Sequence, residues 1–274
     1  MRYEHLKRYS DTEFKRLVGV PRELFSEMVS VIHDAELQKR RPGRRHSLSL
    51  EDQLLLTLNY LRLYTTQLSL SASYGIAESN VNRTIHKIEN ILVKSRRFAL
   101  PKKAMVTEDE DFNWVILDCT ETEIERPKKK QWRYYSGKKK KHTLKTQVIY
   151  HPKSQQIIGI DIGFGREHDI HLAKRTTHRL HGIRYIMRDL GYYGLKEKGF
   201  NLLIPYKKQK KLDLTGVKKS FNKQLSNYRI KIEHINRLIK IFKITSSCYR
   251  NRRKRFGLRM NLIAGLVNWM NRAL

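Results

Sequence analysis

Apolar residues recur every three or four positions through the first hundred residues, which predicts helices. Ser10 to Glu13 can open a short helix, and Pro21 suits the first turn of another running through Phe25, Met28, Val29 and Ile32. Pro42 and Gly43, set among Arg40, Arg41, Arg44 and Arg45, break that pattern as an exposed basic turn. A stronger helix starts at Ser49, with Asp52 three residues on and Leu50, Leu54, Leu58 and Leu61 on one stripe. A short helix over Gln67 to Tyr74, a turn at Gly75 and a helix over Ser79 to Val93 follow. The last buries Val81, Ile85, Ile88 and Leu92 and leaves Asn80, Asn82, Arg83, His86 and Lys87 on its polar side. Helix, short helix, glycine turn and polar-faced helix make a helix-turn-helix layout. An ordinary helical bundle with a solvated face would show the same spacing. The polar face is rich in residues that reach base edges and phosphates, which favours contact with DNA.

Residues 101–112 are basic and then acidic, ending in Glu108 to Asp111, and read as a linker. Beyond them the period changes. Trp114 to Asp118, Thr146 to Tyr150 and Gln156 to Ile162 are strand-like, the last two joined by a hairpin turn. A helix over Asp169 to Leu180, a strand over Arg184 to Asp189 and a short strand over Leu202 to Pro205 come next. Two helices close the chain, over Leu214 to Phe242 and Phe256 to Ala273. The expected division is a helical domain over 1–100, a linker over 101–112 and an α/β domain over 113–274. No internal repeat is visible.

Charge sharpens this picture. Lys and Arg total 57 against 26 Asp and Glu, a formal net charge of +31 over 274 residues. Such a field favours a polyanion, nucleic acid first and an anionic membrane surface second. No apolar run reaches 18 residues, so no bilayer span is expected. The N-terminus carries no apolar core of a secretory signal. Cys119 and Cys248 have no metal-ligand spacing and are read as free thiols in a reducing cytosol.

Against that positive field, three acids stand out. Asp118 and Asp189 each end an apolar strand-like run. Glu233 lies on a predicted helix with Arg229 four residues before it and Lys240 seven after. Steps of four and eleven residues return to within about 40° and 20° of one helix face. Oxygen ligands from distant chain segments are what paired hard cations need to cleave phosphodiesters. Each acid also has a plainer reading. Asp118 can cap a turn, with Glu121, Glu123 or Glu125 as the true ligand. Asp189 can open a turn, and Glu233 can pair with Arg229 and Arg237 on the helix surface. A basic run from Lys128 to Lys141 interleaves Trp132, Tyr134 and Tyr135 with Arg133, Lys138 and Lys139, a mixture that suits a loop gripping DNA.

The sequence resembles bacterial insertion-sequence transposases of the DDE superfamily, the insertion-sequence-five family and its relatives. The resembling stretches are Asp118 to Glu121, Arg126 with Pro127, Tyr134 to Lys139 with His142, and His168 with Asp169. They continue with Asp189 to Tyr192 and Gly194, Arg229 through Glu233 and His234 to Lys240, Tyr249 with Arg250, and Asn261 to Asn268. The resemblance implies an RNase H-like mixed sheet flanked by helices, preceded by an all-α helix-turn-helix domain. It makes Asp118, Asp189 and Glu233 the catalytic, metal-holding triad. It implies Mg²⁺, replaceable by Mn²⁺ and two ions to a site, double-stranded DNA as substrate and partner, a homodimer or higher oligomer on DNA, and a bacterial cytoplasmic, nucleoid-associated setting. Arg229 and Lys240 match the cations around the glutamate, one to hold phosphate and the other either to do so or to orient Glu233. The chain departs from the wider signature at Ser226, where a tyrosine is usual, and at Leu190. A nuclease without strand transfer and a helix-turn-helix regulator are the alternative functions.

Overall fold

The computed structural model describes residues 2–40, 46–101, 114–177, 180, 183–188, 201–207 and 214–272. They form two compact units. One comprises Met1–Ala99, Ile239–Ser247 and Leu258–Leu274; the other comprises Leu100–Leu238 and Cys248–Gly257.

The first unit is helical. Its N-terminal part holds α1 (Tyr3–Leu6), α2 (Asp11–Val18), α3 (Arg22–Leu37), α4 (Leu50–Leu63), α5 (Gln67–Tyr74) and α6 (Glu78–Lys94). The starts follow local chemistry. Ser10 and Glu13 form a reciprocal capping box at α2. Ser49 Oγ accepts from Asp52 N at 3.1 Å, and Thr66 Oγ1 accepts from Ser69 N at 3.1 Å. Gly75, at φ 65°, ends α5 in the left-handed region and turns the chain toward α6.

Sequence spacing predicts one buried stripe on α4, but every residue from Asp52 to Leu61 is buried. The helix is central because most of its buried polar groups find partners within the unit. Gln53 donates to Leu48 O and Thr57 to Gln53 O, both at 2.9 Å. Asn59 donates to Tyr74 Oη at 2.9 Å. Asp52 accepts from Arg2 Nη1 and Tyr3 N. Val81, Ile85, Ile88 and Leu92 of α6 are buried as expected.

The closing helix α9 (Phe256–Arg272; α7 and α8 are described below) contributes Leu258 onward to this unit. Arg259 Nε donates to Glu89 Oε1 at 2.6 Å, both side chains almost fully buried. Trp269 Nε1 donates to Glu27 Oε2 at 2.8 Å. A Cβ on Gly265 would lie 1.7 Å from Phe98 O, so only glycine allows the backbones this close.

The second unit is a mixed sheet with helices. Its strands are β1 (Trp114–Glu123), β2 (Tyr135–Ser136), β3 (Lys141–His151), β4 (Gln156–Phe164), β5 (Tyr185–Met187) and β6 (Asn201–Leu203). Helix α7 (Asp169–Thr177) lies between β4 and β5, and α8 (Gly216–Ile241) follows β6. β1, β3 and β4 form an antiparallel meander, while β5 joins β1 and β6 joins β5 in parallel. β2 adds a short pairing to β3. The order β4-β3-β1-β5-β6 is the RNase H-like arrangement that the family resemblance implies.

β1 does not end at Asp118, as the apolar run suggests. It continues to Glu123, pairing Asp118 with Val148 and Glu123 with Thr143. β-branched Thr120 and Thr122 suit that extension, so Asp118 stands mid-strand. Successive β1 side chains face opposite ways. Val115 and Leu117 pack with Ile149, Leu180, Ile183 and Ile186. Trp114 meets Tyr228 of α8 edge-to-face at 4.9 Å. Asp118 shares the Trp114 face, and Cys119 and Glu121 share the other.

Candidate active site and DNA-contact residues

Asp118 is held from two directions. Its Oδ1 accepts from Cys119 N at 2.9 Å, and its Oδ2 accepts from Asn236 Nδ2 at 2.5 Å. Asn236 is buried on α8, and its own Oδ1 has no hydrogen-bond partner among the described residues. A buried orphan acceptor costs roughly 1–3 kcal/mol, a cost that a further polar partner at this position would remove. Asn236 was not singled out by sequence. Its signal was available: it is one helical turn past Glu233, on the same side.

Glu233 is exposed, its side chain 63% accessible, and Arg229 Nη2 lies 4.0 Å from its Oε1. A pair this loose and exposed contributes about 0–1 kcal/mol, and leaves the carboxylate available. Lys240 is exposed near the end of the same helix. Thus the Asn236–Asp118 hydrogen bond, together with the Trp114–Tyr228 ring contact, ties the helix that carries Arg229 and Glu233 to the strand that carries Asp118. Asp189 lies outside the described residues. Among the described residues, no three acids, histidines or cysteines gather at one point.

The acids beside Asp118 in sequence are engaged on the other sheet face. Lys145, opposite Glu121 in the register, donates to Asp169 Oδ1 at 2.5 Å and lies 3.9 Å from Glu121 Oε1. Thr143 donates to Glu121 Oε2 at 2.8 Å. Glu123 pairs with Lys141 at 2.8 Å. This cluster locks β1, β3 and α7 together. Burial, then the charge of Asp169, pushes the Cys119 thiol far above its usual range. His168 Nδ1 accepts from Ile170 N at 3.4 Å at the entrance to α7.

On α6 the expected DNA-contact residues divide. Asn80 and Arg83 are exposed and hydrogen-bonded to each other at 3.2 Å. Asn82 donates to Gln67 Oε1 of α5 at 3.3 Å, which braces the two helices. His86 is half-buried. Lys87 points inward. It donates to Gln53 Oε1 at 2.9 Å, pairs with Glu36 at 2.7 Å and lies 3.1 Å from His46 Nε2. Burial alone would raise the Glu36 carboxyl, but hydrogen bonds from Lys39 and Lys87 outweigh it and hold it below the usual carboxylate range. Burial and the Lys87 charge hold the His46 imidazole below its usual value. His46, Gln53 and Lys87, with Asn80 and Arg83, line a cleft of about 580 Å³.

In the basic loop, Arg133 is half-buried and stacks over Phe164 at 4.3 Å. Lys138 and Lys139 are exposed on the turn before β3.

Known proteins show the same two-part organisation. Residues 46–98 match the family described as helix-turn-helix of DDE superfamily endonuclease, and residues 117–268 match the DDE superfamily endonuclease family. A DNA-binding helix-turn-helix ahead of an RNase H-like endonuclease domain defines the class: a DNA-cleaving enzyme. Two relatives carry the name of an insertion-sequence transposase. One, for element IS702 of Microchaete diplosiphon, is 44% identical over 270 residues, 98% of each chain. Another, for element IS112 of Streptomyces albus G, is 24% identical over 231 residues, 84% of each chain. The chain belongs to the insertion-sequence transposases of the DDE superfamily.

Endonucleases of this superfamily use divalent metal ions. The residues here fit that requirement. Asp118 and exposed Glu233 offer hard oxygen donors, and the orphaned oxygen of Asn236, the residue that holds Asp118, adds an acceptor. Among the described residues, no helix is long and apolar enough to cross a membrane.

Proposed function

We propose that this transposase binds the terminal inverted repeats of its own insertion sequence, cleaves strands there and joins the freed 3′ ends to target DNA. The supporting observation is the hydrogen bond from Asn236 to Asp118, which sets the Arg229–Glu233 turn of α8 against the central strand. Asp118, Asp189 and Glu233 form the triad in this reading. Asp189 follows Met187 by two residues, as Asp118 follows Ile116, and Met187 and Ile116 are register partners in the parallel β5–β1 pair.

The three carboxylates would hold Mg²⁺, or Mn²⁺ in its place, two ions to a site. Bound there, the ions supply Lewis-acid activation of the attacking oxygen and neutralise charge on the leaving one. The chain's own work is positioning. Asn236 fixes the Asp118 carboxylate, and Arg229 and Lys240 hold the phosphates of the strand. Arg229, 4.0 Å from Glu233, also orients that carboxylate. Asn80, Asn82, Arg83 and His86 of α6 read the repeat. Lys87 supports them by bracing Gln53 and Glu36. Arg133, Lys138 and Lys139 grip backbone phosphates. The division of labour runs between 1–100 and 113–274, joined by 101–112, although Leu258–Leu274 groups with the N-terminal helices by contact. Joining two ends calls for at least a dimer on DNA. Its working place is the nucleoid in the bacterial cytoplasm.

The test is binding and nicking of labelled duplex carrying the element's own ends. Asn80→Ala with Arg83→Ala should abolish the preference for the repeats over unrelated DNA. Asp118→Asn should bind like wild type and fail to nick with Mg²⁺. Nicking by Asp118→Asn at the wild-type rate would refute the triad.

A further inference from the structure

Resting on the reading as an enzyme that processes DNA ends, we infer that the open cleft beside Trp132 seats an unpaired nucleobase of the bound strand. The cleft has a volume of about 690 Å³, within the range of ligand pockets. Trp132, on the 3-10 turn Gln131–Arg133, is 62% exposed, and Tyr135 on β2 is 44% exposed. Arg126, His142 and Arg166 complete most of the wall. No acid lines it.

The exposure is built in rather than slack. Arg166 N donates to Arg133 O at 3.1 Å, and Thr143 N donates to Tyr134 O at 2.8 Å. A Cβ on Gly165 would lie 2.3 Å from Tyr134 O, so the two backbones fit together only because that residue is glycine. The Arg166 guanidinium stands 5.3 Å from the Trp132 ring centre, and the Tyr135 ring meets His142 at 5.7 Å. Arg126 is anchored through its Nε to Gln131 Oε1 at 2.9 Å. Two aromatic groups are thus held out to solvent between two arginines, with the exposed Lys128, Lys129 and Lys130 alongside.

Chemistry selects the occupant. Every nucleobase has a flat π-face that stacks on Trp or Tyr, and its phosphate matches the arginines. A methylated lysine would also like an aromatic cage, but the cations here repel it. An acidic peptide would satisfy the arginines and leave the rings unused. Bases inside a duplex are already stacked, so the occupant is a base that has left its pair. A transposon end being opened for cleavage supplies such a base.

The experiment measures binding of the full chain to fluorescent duplexes in EDTA, where nothing is cut. One duplex carries a short unpaired tail, one carries the same tail without its bases, and one is blunt. Wild type should favour the intact tail over the abasic one by about 5- to 100-fold, the loss that removal of one base–aromatic stack produces. Trp132→Ala should lose that preference while binding the blunt duplex as wild type does, and Trp132→Tyr should keep most of it. Equal wild-type affinity for the two tails, or undiminished preference in Trp132→Ala, would overturn the inference and leave the function intact. Poly-glutamate binding that depends on Trp132 would overturn it in favour of an acidic peptide. Failure to bind any of the duplexes would instead overturn the function on which it rests.

Discussion

Arg259 and Glu89 offer a sharp test of why the chain's last helix belongs with its N-terminal helices. The Nε–Oε1 distance is 2.6 Å, and the side chains are 2% and 0% exposed. The guanidinium also stands 5.2 Å from the Tyr60 ring. Replacing Arg259 with Leu leaves a carboxylate buried without its cation. That loss costs about 3–5 kcal/mol, a large share of the roughly 5–15 kcal/mol that holds a typical protein folded. With a urea slope of about 1–3 kcal/mol per molar, the midpoint should fall on the order of 1–5 M. Glu89→Leu should do similar harm by removing the arginine's buried carboxylate partner. The double variant should recover most of the loss, because desolvation of both charges disappears together. Far-UV ellipticity during urea titration reads the first unit well, since that unit is helical. Single losses under about 1 kcal/mol, or a double variant as poor as the sum of both, would refute the coupling.

Three further outcomes follow from the geometry. Asn236→Ala should cut nicking by about 10- to 100-fold with end binding unchanged, as expected when the support of a metal-holding group is lost; a wild-type rate would remove Asn236 from the site. His46 is protonated less readily in the folded chain than its ordinary value near 6.5. Its contribution to stability is therefore full above about pH 6.5 and is lost as pH falls toward its folded value. Melting temperature should drop more for wild type than for His46→Gln between about pH 7 and pH 5, a window above that of Glu36, whose depressed carboxyl acts below about pH 4.5; equal drops would refute the assignment. Gly265→Ala should destabilise by several kcal/mol, because its Cβ meets Phe98 O; a melting temperature within a degree or so of wild type would show that the backbones part easily.

Much of the fold was legible because local signals agreed. Ser10 and Ser49 cap where their spacing says, Gln67 to Tyr74 forms the predicted short helix, and strands begin where the period changes. Three features were not legible in local pattern. An apolar run marks where a strand is buried, not where it stops, so β1 passed through Asp118. Burial of α4 on all sides depends on partners as distant as Arg2 and Tyr74, which periodicity cannot reveal. Lys87 looked like a surface cation because charge alone does not say whether Glu36 and Gln53 wait beneath it. At the site, the helix face of Arg229 and Glu233 was readable from spacing. The asparagine that ties it to Asp118 stands on that same face one turn on, but an amide carries no charge to draw notice.

The most direct test of the central claim is strand joining. Labelled DNA bearing the element's own processed 3′ ends would be incubated with Mg²⁺, a target plasmid and either wild type or Glu233→Gln. The account predicts labelled ends covalently joined to the plasmid with wild type, and none with Glu233→Gln despite equal binding. Joined products from both proteins, or cleavage by wild type with no joining at all, would contradict it.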